Sequence, residues 1–317
     1  MNENELIELF VRCAPQRADG IVLGIGDDAA VLRPPPGADL AMTVDAVVAG
    51  VHFDHHFRAE DVGWKALAVN LSDLAAMGAR PLWALCALAT PRGESAARLA
   101  GVGRGLARCA RAHRIALVGG NVTRARQLSL TITAVGALER GGALRRSGAR
   151  PGDALLVSGT LGDAALGRSP AAAPSLVRRQ RRPEPRLALG RSLAGLAHAA
   201  VDISDGLLRD LGHLCSSSRV GARVWLDALP LSPAYRRAHR AASHRLFEAA
   251  LAGGEDYELL VAVPRERVVR AQTRAEKVGT ALTVIGEATK VRGVRVVAAG
   301  GVRYRPRARG YDHLAAP

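Results

Sequence analysis

The chain has 317 residues, 48% of them apolar, and a formal net charge of +15, so it is long enough for about two domains, each with a real core. No apolar run approaches the ~18 residues that cross a bilayer, which excludes a spanning helix, and the polar, acidic start Met1-Asn2-Glu3-Asn4-Glu5 does not read as a signal peptide. Cys13, Cys86, Cys109 and Cys215 are scattered without a CxxC spacing, which argues against a disulfide frame or zinc site and for reduced thiols in a cytoplasm.

In chain order, residues 4–12 read as a short helix and Ile21-Val22-Leu23 as a strand that runs into Gly24-Ile25-Gly26-Asp27-Asp28. After the turn Pro34-Pro35-Pro36-Gly37 comes a strand, Leu40 to Asp45, with Asp45 at its end. A loop with Val51-His52-Phe53 follows. A long helix then starts near Glu60 and runs through Asp73 to a stop at Gly78 and Pro81. Leu82 to Ala89 is an apolar strand and Ala96 to His113 an amphipathic helix. Ile115 to Val118 is a strand that opens into Gly119-Gly120-Asn121, and Leu128 to Leu138 alternates as a half-buried strand does.

A boundary falls between Gly141 and Gly152, which divides the chain into domains at 1–148 and 149–317. Strands are expected at 154–157, 199–202, 222–226, 257–263, 282–286 and 293–298. Helices are expected at 187–197, 207–215, 244–251 and 265–278, with a surface excursion over 169–185. Both halves mix strands and helices without strict βαβ alternation, so two α+β domains are expected.

The positive charge is almost all Arg, since Lys65, Lys277 and Lys290 are the only lysines. The run Arg178-Arg179-Gln180-Arg181-Arg182 has no interleaved aromatic on which a base could stack, and it is read as solvated surface. Nucleic acid is not the expected partner. A P-loop is absent, because no lysine follows a glycine. Gly24 to Ala29 matches a dinucleotide GxGxxA only superficially: no helix follows, and two adjacent carboxylates would repel a pyrophosphate.

What recurs instead is Asp at strand ends and in small-residue turns: Asp27-Asp28, Asp45, Asp73, Asp202, Asp205, then Glu255-Asp256 after Gly253-Gly254. Clustered acids in a basic chain suit hard cations such as Mg²⁺, with Thr43 and Ser204 as hydroxyl partners. Taken one at a time, each has an ordinary alternative. Asp73 would be a half-exposed residue on an amphipathic helix, Asp205 a helix N-cap, Glu255-Asp256 a hairpin tip, His52 a packed or surface histidine. Taken together they indicate a phosphate site that holds several Mg²⁺ ions.

The motifs GIGDDAAV (24–31), TVDAVVAGVHF (43–53), KALAVNLSDLAAMGARP (65–81), GGNVTR (119–124), RSGARPGD (146–153), VSGTLGDAALG (157–167), RRPEPR (181–186), VDISDGLLRDLGH (201–213), GGEDYELL (253–260) and GYDHL (310–314) cover nearly the whole chain. In number, order and spacing they resemble the thiamine-monophosphate kinases of the aminoimidazole ribonucleotide synthetase-like superfamily. The resemblance implies an N-terminal α+β sheet domain, a C-terminal α/β/α domain and a homodimer formed by the N-terminal sheets. It implies transfer of the γ-phosphate of ATP to thiamine monophosphate. By motif, Asp28, Thr43, Asp45, Asp73, Asn121, Asp202 and Asp205 would hold Mg²⁺ ions. Gly119, Gly120, Asn121, Arg146 and Ser204 would contact ATP, and His52, Glu255 and Tyr311 the thiamine moiety. No general base is implied: Asp73 and Arg146 would serve the transfer itself, by holding metal and phosphate. Asn121 stands where many members carry Asp, Val122 where Thr is usual, Val44 where a second hydroxyl is common, and Gly103 about where an aromatic would stack on adenine. The alternatives are a superfamily enzyme with another acceptor and a basic nucleic-acid-binding protein.

Overall fold

Alternating burial builds the first sheet. The computed structural model describes residues 3–13, 15, 18–239 and 246–311. It divides into one unit of Met1–Leu74 and Ala79–Gly141, and a second of Ala75–Gly78 and Gly142–Pro317. The first unit contains α1 (Glu3–Cys13), β1 (Ile21–Leu23), β2 (Val31–Leu32), β3 (Ala38–Val48), α2 (Ala59–Ala76, its last two residues grouped with the second unit), β4 (Arg80–Thr90), α3 (Ala96–His113), β5 (Ala116–Arg124) and β6 (Ser129–Glu139). Strands β3, β6, β4 and β5 form one sheet in that order. In β6, Leu130, Ile132 and Ala134 are fully buried, whereas Thr131, Thr133 and Val135 on the other face are half-buried. β3 pairs with β6 over its whole length, from Ala38 opposite Glu139 to Val48 opposite Ser129.

Helices α2 and α3 pack at glycine contacts. A Cβ on Gly63 would lie 2.0 Å from the Val102 carbonyl oxygen, and one on Gly105 2.0 Å from that of Glu60. Gly103, at the position where the family resemblance puts an aromatic, is buried in α3. Ser95 caps α3 by accepting the Arg98 N–H at 3.1 Å. Helix α2 departs from the amphipathic helix expected from sequence. From Asp61 to Ser72 every residue except Trp64 is buried, Lys65, Asn70 and Ser72 completely.

The second unit contains β7 (Ala154–Ser158), α4 (Asp163–Leu166), α5 (Pro174–Arg181), α6 (Leu187–Leu193), β8 (Ala199–Asp202), α7 (Leu207–Ser218), β9 (Gly221–Trp225), α8 (Pro233–Ala238), α9 (Glu248–Ala252), β10 (Leu259–Val263), α10 (Val268–Lys277), β11 (Leu282–Thr289), β12 (Gly293–Val297) and β13 (Arg303–Tyr304). Its sheet runs β13-β12-β9-β11-β7-β10-β8, antiparallel except where β12 meets β9. One face packs on α7 and on Tyr235 and Leu251 of α8 and α9. The other packs on Leu189 and Leu193 of α6 and Ala271 and Ala275 of α10. This is an α/β/α sandwich. The expected helix at 244–251 is present as α9, while residues 244 and 245 lie outside the described residues.

Other expectations change. Asp45 lies inside β3, not at its end, and β5 continues through Gly119-Gly120-Asn121. The supposed surface excursion holds α5, whose Leu176 and Gln180 are buried. Its arginines are not all solvated. Glu258, with no exposed surface, accepts the Ser158 hydroxyl at 2.5 Å, Arg179 Nη2 at 2.5 Å, and Arg186 Nε and Nη2 at 2.7 and 2.6 Å. Burial pushes its carboxyl up, but the hydrogen bond and charge of Arg186, with the charge of Arg179, outweigh that and hold it below the usual range. Replacing Glu258 by Gln removes the buried charge that Arg179 and Arg186 share, while Arg186 keeps Glu184 at 3.8 Å. Glu258→Gln is therefore expected to lower the unfolding free energy by about 3–5 kcal/mol, read by urea denaturation. A change under ~1 kcal/mol would show that the network is not a stability element.

Candidate functional site

In the first unit, the period of two in β3 sorts its side chains. Thr43, Asp45 and Val47 share one face, while Leu40, Met42 and Val44 share the other and are exposed. The Thr43 hydroxyl donates to Asp73 Oδ2 at 2.5 Å, which ties the strand to the half-buried carboxylate of α2. One turn earlier on α2, Asn70 Oδ1 accepts the Asp45 backbone N–H at 2.9 Å, and its amide donates to Ala66 O at 3.0 Å. β3 is a sheet edge, so without Asn70 that N–H would have no ladder partner. Asn70 was not singled out from sequence, although a fully buried amide in an apolar helix is a usable signal. Three oxygen donors, Thr43, Asp45 and Asp73, thus sit on one strand and the helix tied to it.

The other first-unit candidates are placed differently. Asp28 is exposed, and its N–H donates to Asp27 Oδ1 at 2.9 Å. Asn121 is exposed on β5, at the opposite edge of the sheet from β3, three strand spacings or about 14 Å away. Gly120 has a packing reason of its own: a Cβ there would lie 2.0 Å from the Cys86 carbonyl oxygen. His52 is half-buried after β3. Its Nδ1 accepts the Val48 N–H at 3.1 Å, which leaves the Nε2 edge to carry the proton of a neutral ring. Its carbonyl accepts the buried Lys65 Nζ at 2.9 Å. Among the described residues, no three His, Cys, Asp or Glu side chains converge as a metal-binding group.

The second unit gathers its candidates around the start of α7. Asp202 ends β8 and is buried; Ser204 and Asp205 follow in the turn. Asp205 is not the N-cap. That position is Gly206, with φ 115 and no side-chain cap, and the turn before the helix is held from within α7. Asp210 Oδ2 accepts the N–H groups of Ser204, Asp205 and Gly206, each at 3.1 Å. Asp210 is a positioning residue that sequence reasoning passed over, though an Asp in the first turn of a helix is the signal for such a role. The adjoining loop locks onto the same turn. The Glu255 N–H donates to Ser204 O at 2.7 Å, and the Tyr311 N–H to Asp205 O at 2.9 Å. Glu255 and Tyr257 take left-handed backbone, φ 62 and 50, so this is a strained loop and not a hairpin tip. The Glu255 carboxylate accepts Arg168 Nη2 at 3.0 Å. Arg146 and Tyr311 are exposed.

The AIR synthase related protein N-terminal domain model matches residues 26–138, and the C-terminal domain model residues 150–299. Thiamine-monophosphate kinase of Salmonella typhimurium is 40% identical, covering 97% of this chain and 96% of that one. That of Haemophilus influenzae is 38% identical over 90% of this chain and 89% of that one. The crystal structure of thiamine-monophosphate kinase from Stenotrophomonas maltophilia has 43% identity and TM-score 0.83, covering 94% of this chain and 95% of that one. A structure of AaThiL complexed with AMPPCP and TMP has 32% identity and TM-score 0.78, covering 88% and 89%. Escherichia coli HypE, at 22% identity and TM-score 0.78 (97% and 99% covered), shares the fold.

Beside Glu255, the fully buried Asp256 receives the Gly162 N–H on both oxygens at 2.9 Å. Burial raises its carboxyl to about 8, against the opposing pull of the Gly162 N–H and the Arg179 charge; Glu258 and Asp163 push it further up. In the unfolded chain the same group ionises near the usual carboxylate value of about 4. The folded form thus holds a proton that the unfolded chain has lost, and Asp256 stability falls as pH rises towards 8. Asp256→Asn carries no such proton. The stability of the wild type relative to Asp256→Asn, from urea unfolding at pH 5, 6.5 and 8, should shrink with each step up in pH. A difference independent of pH would mean that Asp256 is ionised throughout.

Proposed function

The chain belongs to the thiamine-monophosphate kinases of the AIR synthase related family, and we propose that it catalyses ATP-dependent phosphorylation of thiamine monophosphate to thiamine diphosphate. The observation that carries this proposal is identity of 40% over 97% of the chain to a kinase of that name. A relative solved with AMPPCP and TMP supports the same pair of substrates.

The acceptor is itself a phosphate, already ionised near neutral pH, so no group has to remove a proton from it. A bond forms between an acceptor oxygen and the γ-phosphorus of ATP as the bond to the β-phosphate oxygen breaks, and ADP leaves. The barrier is repulsion between two polyanions. The donors at hand are hard oxygens, which suit Mg²⁺. We assign metal binding to Asp28, Thr43, Asp45, Asp73, Asn121, Asp202 and Asp205. Bound Mg²⁺ would neutralise phosphate charge and align the two reactants in line. Thr43 would keep the Asp73 carboxylate in one rotamer, and Asp210 would hold Ser204 and Asp205 in one turn. Gly119, Gly120, Asn121, Arg146 and Ser204 are assigned to ATP; the exposed Arg146 guanidinium suits a phosphate. His52, Glu255 and Tyr311 are assigned to the thiamine moiety. The Glu255 carboxylate has the sign to offset a thiazolium, and Arg168, its present partner, would then be free for a phosphate oxygen.

The four cysteines are unpaired, which suits a reducing, cytoplasmic setting. Among the described residues no helix is long and apolar enough to cross a membrane. The outward face of β3 supports a homodimer. Leu40, Met42 and Val44 are 43%, 68% and 60% exposed in a row, and Leu85 of β4 is 41% exposed on the same sheet.

ADP release coupled to direct detection of thiamine diphosphate, with thiamine monophosphate set against other acceptors, tests the activity. Product from a different acceptor alone would overturn the assignment. Asp73→Asn should lower kcat by at least a hundredfold with the fold intact by circular dichroism; near-normal turnover at saturating Mg²⁺ would remove Asp73 from the metal set. Paired Met42→Glu and Val44→Glu substitutions should convert a dimer to a monomer by light scattering. An unchanged mass would place the interface elsewhere.

A further inference from the structure

A cleft of about 640 Å³ lies on the second unit, walled by one stripe of α7, by β12 and β13, and by the segment after β13. None of its lining residues is among those assigned above to metal, ATP or thiamine. Six of its sixteen lining residues are arginines, Arg219, Arg292, Arg295, Arg303, Arg305 and Arg309, and none is Asp or Glu. All six are exposed.

These six differ from the chain's other well-placed arginines. Arg104, Arg168, Arg179, Arg186, Arg209, Arg223 and Arg265 each meet a carboxylate within 4.0 Å. Among the described residues, none of the six makes an ion pair or a side-chain hydrogen bond. Glu248 is close by but already accepts the Tyr304 hydroxyl at 2.6 Å and the Arg307 N–H at 3.0 Å. By strand register Arg295 and Arg303 lie on the sheet face opposite Val296 and α7, which leaves Arg219, Arg292, Arg305 and Arg309 at the α7 side of the cleft. Like charges brought together repel one another, and an anion placed among them relieves that repulsion.

The floor of the cleft is of another kind. Leu208, Cys215 and Val220 from α7 and its end, with Val294 and Val296 from β12, give it an apolar wall. Gly212 faces the cleft in mid-helix, where glycine is a poorer helix former than alanine, and an added Cβ would meet no atom within 4 Å. The missing side chain serves no close packing; its effect is to keep the cleft open. The volume lies in the range of small-molecule sites.

The geometry points to a second anion site, one that binds an organic phosphate with at least two phosphate groups: the phosphates on the arginines, the organic body on the α7–β12 wall. Charge alone would serve pyrophosphate or a nucleic-acid backbone equally well, and the apolar wall beneath the arginines favours the small organic ligand.

ADP is the probe, titrated calorimetrically into the full-length protein in EDTA, so that Mg²⁺-dependent binding is silent. Wild type should bind ADP at one site, at least tenfold more tightly than it binds pyrophosphate. Arg219→Gln, Arg292→Gln and Arg305→Gln combined should weaken ADP binding at least tenfold. Gly212→Phe, which fills the cleft from an open position, should do the same without removing charge. Both variants should keep the wild-type rate of ADP formation with Mg²⁺, which reports an intact fold. Three results would each overturn the proposal: no ADP binding by wild type in EDTA, binding unaffected by both variants, or pyrophosphate binding as tightly as ADP. Single-stranded DNA that binds more tightly than ADP and is released by the triple variant would also overturn it, and would mark an open polyanion surface.

Discussion

A carboxylate taken out of water has to find donors, and in this protein the donors it finds decide the course of the chain around it. Glu258 finds two guanidinium groups and a hydroxyl, and so draws α5 and Arg186 onto the end of β10. Asp210 finds three backbone N–H groups and thereby shapes the turn before α7. Asp256 finds the Gly162 N–H, and burial raises its carboxyl to about 8 against that bond and the Arg179 charge. The left-handed residues Glu255 and Tyr257 lie between these anchored points, where the surrounding bonds can hold strained backbone. The loop that presents Glu255 is thus fixed from beneath by residues that never need to touch a substrate.

The first unit solves the same problem with a hydroxyl and an amide. Helix α2 is buried almost all round, so its polar residues have to meet backbone or strand. Asn70 and Asp73 do so one turn apart, against Asp45 and Thr43. That pairing makes the strand and the helix one rigid support for oxygen donors. For a transfer between two phosphates, such a support is what is required: placement of charge, with no proton to remove. The outward face of the same strand carries Leu40, Met42 and Val44, so one alternation separates the oxygen-bearing side chains of Thr43 and Asp45 from an exposed apolar face.

Arginine does three different jobs here although its abundance looks uniform in composition. Arg179 and Arg186 are structural, locked on a buried acid. Arg168 holds Glu255 at the loop assigned to substrate. The arginines around the α7–β12 cleft make no ion pair among the described residues, and the fold brings them to one cleft, since Arg219 follows α7 while Arg305 and Arg309 follow β13. Net charge gave no means of telling these groups apart.

Local pattern was enough for much of this protein. The helices Ala59–Ala76 and Ala96–His113, the alternating strand Ser129–Glu139 and the mixing of helix and strand in both halves follow from apolar spacing, capping residues and turn chemistry, which act over a few residues. The family was legible too, because its motifs are short, ordered and rich in glycine and aspartate. Other features depended on residues far apart in sequence. No local signal pairs Thr43 with Asp73 or Arg179 with Glu258, or brings Arg219 and Arg309 to one cleft. The excursion at 169–185 became a helix because Leu176 and Gln180 found a core and Arg179 found an acid. Asp205 is not the cap because Gly206 takes that position, and Asp210 reaches back to hold the turn through the N–H groups of Ser204, Asp205 and Gly206. Hydrogen bonds and ion pairs act over a few ångströms of space, and only the tertiary fold sets which side chains come within that distance.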